Sequence, residues 1–463
     1  MKHTSFVCLA LALSSASLPI CTNAQNNPVA GQAVAAKTTA VPMPILQMMP
    51  VTLTITKEVL GTSKFQLGVT HTQRSLDTIP YDNAPNTHAI ARAKKLLSQI
   101  NTYHNMHIMG WGTDNPNPAP GVYNWGSLDK RMNMVRSIPG AIPVITLCAA
   151  PDWMKGGEAG KTVWNNIEVA PTPEHYADFA QLAATVARRY PDVKYFQVWN
   201  EFKGFWKSSI NNWDYENYTK MYNLTYDALK NVNRDIKVGG LYLVIEGTGG
   251  GKGPLSDATA DPITPRNMKV IEYWLANKKG ADFIILDRSG NSYHDKNTYT
   301  PAELMKNMRW FGEITRQVRA RTDLPIWYAE YYADMQGGPQ AIAAAHAALL
   351  INMIRNDAAA ALLWQPMESG EIPHALFSNA SYSDGGHPYP YADVFRAIHE
   401  HFGPNTPLLK ATSSAPDVLD ALVSPERTLL VNKGETPIMA TVNGVPFALG
   451  RYDVRLVITP QVK

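Results

Sequence analysis

Tyr195-Phe196-Gln197-Val198-Trp199-Asn200-Glu201 and, much later, Leu324-Pro325-Ile326-Trp327-Tyr328-Ala329-Glu330 are two short, largely apolar runs that each finish in a glutamate. Apolar residues at consecutive rather than alternate positions are what a strand covered on both faces requires. Six further runs share this texture: Phe65 to Thr70, Met106 to Met109, Pro143 to Leu147, Ile236 to Tyr242, Asp282 to Leu286 and Ala359 to Trp364. Helix signals fall between them. Pro173 to Tyr190 follows the N-cap residue Thr172 and sets Tyr176, Phe179, Ala183, Val186 and Tyr190 on one face. Thr300-Pro301-Ala302-Glu303 is a capping box, after which Leu304, Met308, Phe311 and Val318 recur at helical spacing. Eight strand and helix units in about 340 residues predict a (β/α)8 TIM barrel, an α/β fold, over residues 64–404. A doubly wound open sheet is the rival, because local pattern does not reveal closure.

Outside the barrel the texture changes. Val418 to Val423, Thr428 to Val431, Ile438 to Val442 and Tyr452 to Ile458 are strand-like, with turn residues and no helical pattern between them. Residues 405–463 are therefore expected to form a small C-terminal antiparallel β-sandwich module. Leu53 to Val59 is also strand-like, so the segment 46–63 is expected to pair with that module. At the other end, Lys2 and His3 precede an apolar run from Phe6 to Ile20, and Thr22-Asn23-Ala24 supplies small residues for cleavage. Residues 1–24 read as a signal peptide and 25–45, rich in Ala, Pro, Thr and Gly, as a flexible linker. The protein is thus expected to be exported, to the periplasm or beyond. No later run holds about 18 uninterrupted apolar residues, so no membrane span is predicted. Removal of the signal would leave Cys148 as the sole thiol of three, which rules out an internal disulfide and a cysteine cluster for metal.

Composition narrows the function. The chain has 463 residues, of which 45% are apolar and 17% charged, enough to bury a core and too ordered in character for a disordered tether. Its 42 basic and 39 acidic residues leave a formal charge of +3, too little for a protein that grips nucleic acid through its phosphates. A neutral partner such as a glycan fits better.

In such a barrel, chemistry sits where the strands end and their loops converge. The fourth and seventh strands, standing roughly across the mouth from each other, both end in glutamate, at Glu201 and Glu330. A lone glutamate at a strand end is commonly a solvated terminus or an ion-pair partner. Two facing carboxyls about 5 Å apart would suit a glycosidase acting with retention, one as nucleophile and one as acid then base. Tryptophans follow several strands: Trp111 after the second, Trp153 after the third, Trp206 and Trp213 after the fourth, and Trp364 at the end of the eighth. Indole faces stack on the C–H faces of sugar rings. His71, at the end of the first strand, is a further candidate hydroxyl ligand.

Val198-Trp199-Asn200-Glu201 resembles the Asn-Glu motif of clan A glycoside hydrolases, and Leu324 to Glu330 resembles their nucleophile strand. Gly121-Val122-Tyr123-Asn124-Trp125, Lys237-Val238-Gly239-Gly240 and the β-rich tail are similar to glycoside hydrolase family 39 in particular. The resemblance implies Glu201 as general acid/base, Glu330 as nucleophile, Asn200 as the partner of the sugar 2-hydroxyl, and Trp364 as an aromatic beneath the sugar. It also implies no cofactor, and the first strand's His71-Thr72-Gln73, with no second histidine at metal-ligand spacing, argues against a metal. The acid/base should sit where charge is disfavoured, and the nucleophile should be ionised. On the sixth strand the pattern departs from the family's Ser-x-His-x-Tyr arrangement. Here the chain reads Asp282 to Ser289 and only later Tyr293-His294, so either Tyr293 or His294 reaches back into the site, or Asp287 and Arg288 replace them. Two other functions use the same features: a transglycosylase with the same glutamates, and a non-catalytic glycan-binding or export-assembly protein. The loop Gly247 to Gly253 evokes a phosphate cradle but lacks the Ser or Thr it needs.

Overall fold

Each of the eight expected runs becomes a strand, and they pair side by side in chain order until the last meets the first. The computed structural model describes residues 48–73, 75–100, 102–245, 262–290, 299–369 and 374–461. The expected signal peptide and linker, and Tyr293 and His294, lie outside the described residues. In chain order the strands are β1 (Met49–Thr62), β2 (Gln66–Thr70), β3 (Tyr103–His107), β4 (Ile142–Leu147), β5 (Tyr195–Val198), β6 (Trp206–Lys207), β7 (Asn212–Trp213), β8 (Lys237–Val244) and β9 (Phe283–Ser289). They continue with β10 (Ile326–Tyr332), β11 (Ala358–Trp364), β12 (Pro407–Ser413), β13 (Leu419–Val423), β14 (Arg427–Asn432), β15 (Ile438–Val442), β16 (Val445–Leu449) and β17 (Val454–Ile458).

The barrel runs β2-β3-β4-β5-β8-β9-β10-β11. Closure comes from parallel pairing of β11 with β2, from Ala360 opposite Gln66 to Trp364 opposite Thr70, which excludes the open doubly wound sheet. β3 lies three residues upstream of its expected start. Its polar residues His104, Asn105 and His107 hide the strand from an apolar pattern, yet all are buried. Asn105 donates to Thr70 Oγ1 at 3.1 Å and accepts from Thr146 Oγ1 at 2.9 Å, so part of this polar strand is satisfied by its neighbours.

Aromatics near the strand starts fill the barrel's lower end. Trp327 lies 4.3 Å from Phe283 and 4.6 Å from Tyr103, ring centre to ring centre. Gly239 exists to admit them, since a Cβ there would sit 2.0 Å from the Phe283 ring. With that end plugged, access is through the opposite mouth, where the strands end.

Helix Pro339–Arg355 buries twelve of its seventeen residues, because it is covered by the barrel on one side and by the C-terminal module on the other. Its alanines permit that close approach, and Arg355 ties the module down through Asp420 at 2.8 Å. The module is a two-sheet sandwich, β12-β1-β15-β16 over β13-β14-β17. Its pairs are antiparallel except one: β1 runs parallel to β15, Met49 opposite Ile438 through Leu53 opposite Val442. Val51, Leu53, Ile55, Leu430 and Ile438 form the core between the sheets. Among the described residues no helix is long and apolar enough to cross a membrane.

Candidate active site

Glu201 lies three residues beyond the end of β5, in a turn that sequence propensity alone would not favour. Trp199, Glu201 and Phe202 take φ values of 73°, 50° and 55°, a left-handed region costing non-glycine residues roughly 1–3 kcal/mol each. Leu241 and Tyr242, at 81° and 40°, do the same on β8. Packing holds the turn: Trp199 is fully buried, and its indole N–H donates to the Lys203 carbonyl at 2.8 Å. Glu330 instead lies within β10, where the register with β9 shifts between Tyr328 and Glu330 and sets Glu330 directly beside Asp287.

The result is three carboxyl groups at the barrel mouth. Oxygens of Glu201, Asp287 and Glu330 all lie within 4.8 Å of one another. Glu330 and Asp287 are buried, whereas the Glu201 side chain keeps 16% of its exposure. Two tyrosine hydroxyls donate to Glu330, Tyr242 to Oε2 at 3.2 Å and Tyr332 to Oε1. Lys203 Nζ stands 2.7 Å from Glu201 and 2.8 Å from Glu168. Burial alone would pull that ammonium's pKa down, but the two carboxylates outweigh it and hold it above the usual lysine value.

The charge distribution reverses the sequence expectation. Burial, then the charge of Glu201, pushes Glu330 up to about 8. Asp287 is driven well above the carboxylate range by burial and by the charges of Glu330 and Glu201. For Glu201, burial works towards a higher value, but the Lys203 ammonium and a hydrogen bond from Asp287 prevail and lower it. The physical reason is Lys203, two residues further along the same turn, whose position no strand pattern announces.

Beside Glu201 sits a half-aromatic wall. His107 packs against Trp111 at 4.5 Å and Trp364 at 5.6 Å, and these two tryptophans meet edge to face at 6.1 Å. Burial keeps His107 uncharged, its pKa lowered to about 3, with Asn200 and Glu201 alongside. Both polar atoms of the Gln197 side chain are buried without a hydrogen-bond partner, while the Asn200 side chain stands against the His107 ring. Unspent donors and acceptors at a barrel mouth are what a pocket for hydroxyl-rich ligands offers.

Of the residues singled out from sequence, Glu201, Glu330, Asn200, Trp111 and Trp364 meet here. His71 does not serve as expected: its Nδ1 pairs with Ser75 Oγ at 2.8 Å and its Nε2 with His104 Nδ1 at 3.0 Å, which leaves neither nitrogen for a sugar. Trp153 gives its N–H to the Asn117 carbonyl at 2.9 Å and packs its edge on His175, contacts of the loop layer rather than of the carboxyl cluster. Of the two sixth-strand residues, Asp287 lies opposite Glu330 and in the carboxyl cluster, while Arg288 lies opposite Tyr331 and gives its Nη1 to the Ile245 carbonyl at 2.7 Å. Sequence reasoning missed Tyr242, Tyr332, Lys203 and His107. Tyr332 had a signal, since it lies two residues beyond Glu330 and so on the same side of the strand.

The model of glycosyl hydrolases family 39 matches residues 105–364, more than half of the chain. No curated protein sequence matches significantly. Among solved structures, a monomeric β-xylosidase from Caulobacter crescentus CB15 is similar at 16% identity with a TM-score of 0.51, covering 82% of this chain and 76% of its own. SrfJ from Salmonella typhimurium is similar at 12% identity and 0.59, covering 89% and 93%. An endo-β1,6-glucanase is similar at 12% identity and 0.57, covering 89% and 94%. At these identities the structures establish the shared fold.

Proposed function

The chain belongs to the glycosyl hydrolases family 39, and on that footing we propose that it is an exported glycosidase that cleaves an O-glycosidic bond of an oligo- or polysaccharide with retention of configuration. The observation that carries this reading is the spacing of Glu201 and Glu330, whose oxygens approach within 4.8 Å. Retaining enzymes hold their carboxyls about 5–5.5 Å apart, while inverting ones leave about 6.5–9.5 Å for a water.

Glu330 is the nucleophile. Tyr242 and Tyr332 aim both its oxygens and stabilise its ionised form, and its attack forms a bond to the anomeric carbon as the glycosidic oxygen departs. Glu201 protonates that oxygen and afterwards takes a proton from the water that releases the sugar. Asn200, buried next to Glu201, is placed to hold the 2-hydroxyl, a contact that strengthens as positive charge builds on the ring. Trp111 and Trp364 supply the stacking face. Replacing Trp111 with Ala is expected to raise KM roughly tenfold, about 1.4 kcal/mol of binding, with a smaller change in kcat. Steady-state kinetics on any cleaved glycoside check this.

Because Glu330 reacts as the carboxylate and its pKa is raised to about 8, kcat/KM should climb through neutral pH, with its acidic limb above the usual carboxylate range. The same shift sets the sign of a stability effect. Folded Glu330 binds a proton that the unfolded chain, with an ordinary glutamate value, has already released, so its contribution is retained at low pH and lost as pH rises towards 8. Glu330→Gln removes that cost, and its Tm should exceed that of the unaltered chain by roughly 2–5 °C at pH 8, the gap closing near pH 4.5. Thermal melts across that range check it.

The experiment that tests the proposal is a screen of the purified mature chain against chromogenic glycosides, xylosides and glucosides included, and against plant and bacterial polysaccharides. Hydrolysis that leaves the anomeric configuration unchanged supports the proposal. Inversion in the first-formed product opposes it.

A further inference from the structure

We propose that Asp287 is the residue that stores the acid proton, passing it to Glu201 when the glycosidic bond breaks and taking it back when the sugar is released. This rests on the reading of Glu201 as acid/base and adds a third carboxyl to it. The difficulty it resolves is visible in the geometry. A general acid must hold a proton, yet Lys203 stands 2.7 Å from Glu201 and favours its ionised form. Among the described residues Lys203 is the cation paired with the cluster, and it is paired with Glu201 rather than with Asp287.

Asp287 has the opposite surroundings. It is 3% exposed and lies beside Glu330 across the β9–β10 pair. Its oxygen is within 4.8 Å of oxygens of both glutamates. The groups facing it are Glu201 and Lys203 from the turn after β5, Tyr242 from β8, and Glu330 and Tyr332 from β10. The following residue, Arg288, gives its Nη1 to the Ile245 carbonyl at 2.7 Å, and its charge acts on Asp287 without a direct ion pair between the two. A buried carboxyl between two others, with the nearest ammonium already engaged, keeps its proton. It presents that proton to Glu201 as a hydrogen bond.

The steps balance. The Asp287 O–H bond breaks as an O–H bond to Glu201 forms, and the proton moves on to the departing oxygen as its bond to the anomeric carbon breaks and the Glu330 ester forms. Esterification removes the charge of Glu330, which is what makes an ionised Asp287 tolerable at that moment. In the second half, water bonds to the anomeric carbon and the Glu330 ester breaks. The water's proton passes through Glu201 back to Asp287. Lys203 and the three carboxyls carry one net negative charge before and after each half, so no charge is gained or lost in a site this buried. Asp287 acts through Glu201 and is in that sense a positioning residue, for a proton rather than for a side chain.

Asp287→Asn separates this role from a structural one, because the amide keeps the shape and the hydrogen-bond donor but carries no transferable proton. On glycosides with sugar or alkyl leaving groups, kcat/KM should fall at least about 100-fold, the scale of general acid catalysis. On dinitrophenyl glycosides, which need no proton, the loss should stay within about tenfold. The alkaline limb of the profile for poor leaving groups should also move to lower pH, since Glu201 alone beside Lys203 gives up its proton earlier. Asp287→Glu should recover part of the loss on poor leaving groups. If Asn disturbs folding, seen as a lowered melt, the same leaving-group series on Asp287→Ala decides. Equal loss on all leaving groups, or no loss on any, overturns the proposal. Glu201→Ala assayed on the same series keeps the two readings apart: if it shows leaving-group dependence and Asp287→Asn does not, the proton store fails while the role of Glu201 stands.

Discussion

With Glu330 as the proposed nucleophile, Glu330→Gln is expected to abolish turnover of every glycoside the protein cleaves, with kcat reduced by at least about 10⁴-fold. The loss is this large because the nucleophile has no substitute. Glutamine keeps the volume and can still accept from Tyr242 or Tyr332, whose hydroxyls meet both oxygens of Glu330, so the pocket should stay closed and folded. What disappears is the charge and the electron pair that form the glycosyl ester. Asp287, the neighbouring carboxyl on β9, carries a proton and offers no replacement. Kinetics on the variant, with its melting curve alongside, check both halves: lost activity must accompany preserved or raised stability. Residual turnover within a few hundredfold would show that another group attacks.

Glu201→Ala should behave differently. Its first step is spared to within about tenfold on dinitrophenyl glycosides and falls by roughly 10³-fold on poor leaving groups, because only the latter depend on a donated proton. The structure adds a reason to expect rescue by azide. Removing the carboxylate empties a space within 2.7 Å reach of Lys203, and an ammonium left without that partner attracts a small anion to the face from which water would attack. The product should be a glycosyl azide of retained configuration, detected by mass spectrometry and NMR. Equal loss on all substrates, with no azide product, would contradict the acid/base assignment.

The barrel was readable because parallel strands buried on both faces appear as apolar runs: β2, β4, β5, β8, β9 and β11 begin within one residue of where those runs begin, and β10 within two. β3 was displaced because its buried positions carry His104, Asn105 and His107, paired with polar neighbours, where the other strands carry aliphatic side chains. Glu201 and Glu330 were readable because each ends an apolar run, so position along the chain stands in for position at the mouth. The electrostatics were not readable. Lys203 reaches Glu201 only because the turn after β5 adopts left-handed backbone at three positions, which no propensity favours. Asp287 was legible as an oddity, the residue standing where a family pattern failed. That it joins the glutamates follows from a register shift in β10, a tertiary fact. His71 misled for a related reason: its partner His104 sits on the strand whose polar character concealed it.

The most direct test is the anomeric configuration of the sugar first released, followed by proton NMR before mutarotation on whichever glycoside the mature chain cleaves. Carboxyl oxygens within 4.8 Å of each other match the close spacing of double displacement rather than the wider one of inversion, so the released sugar should have the configuration of the substrate. A first product of opposite configuration would mean that a single displacement by water occurs, and that Glu330 does not form a bond to the sugar.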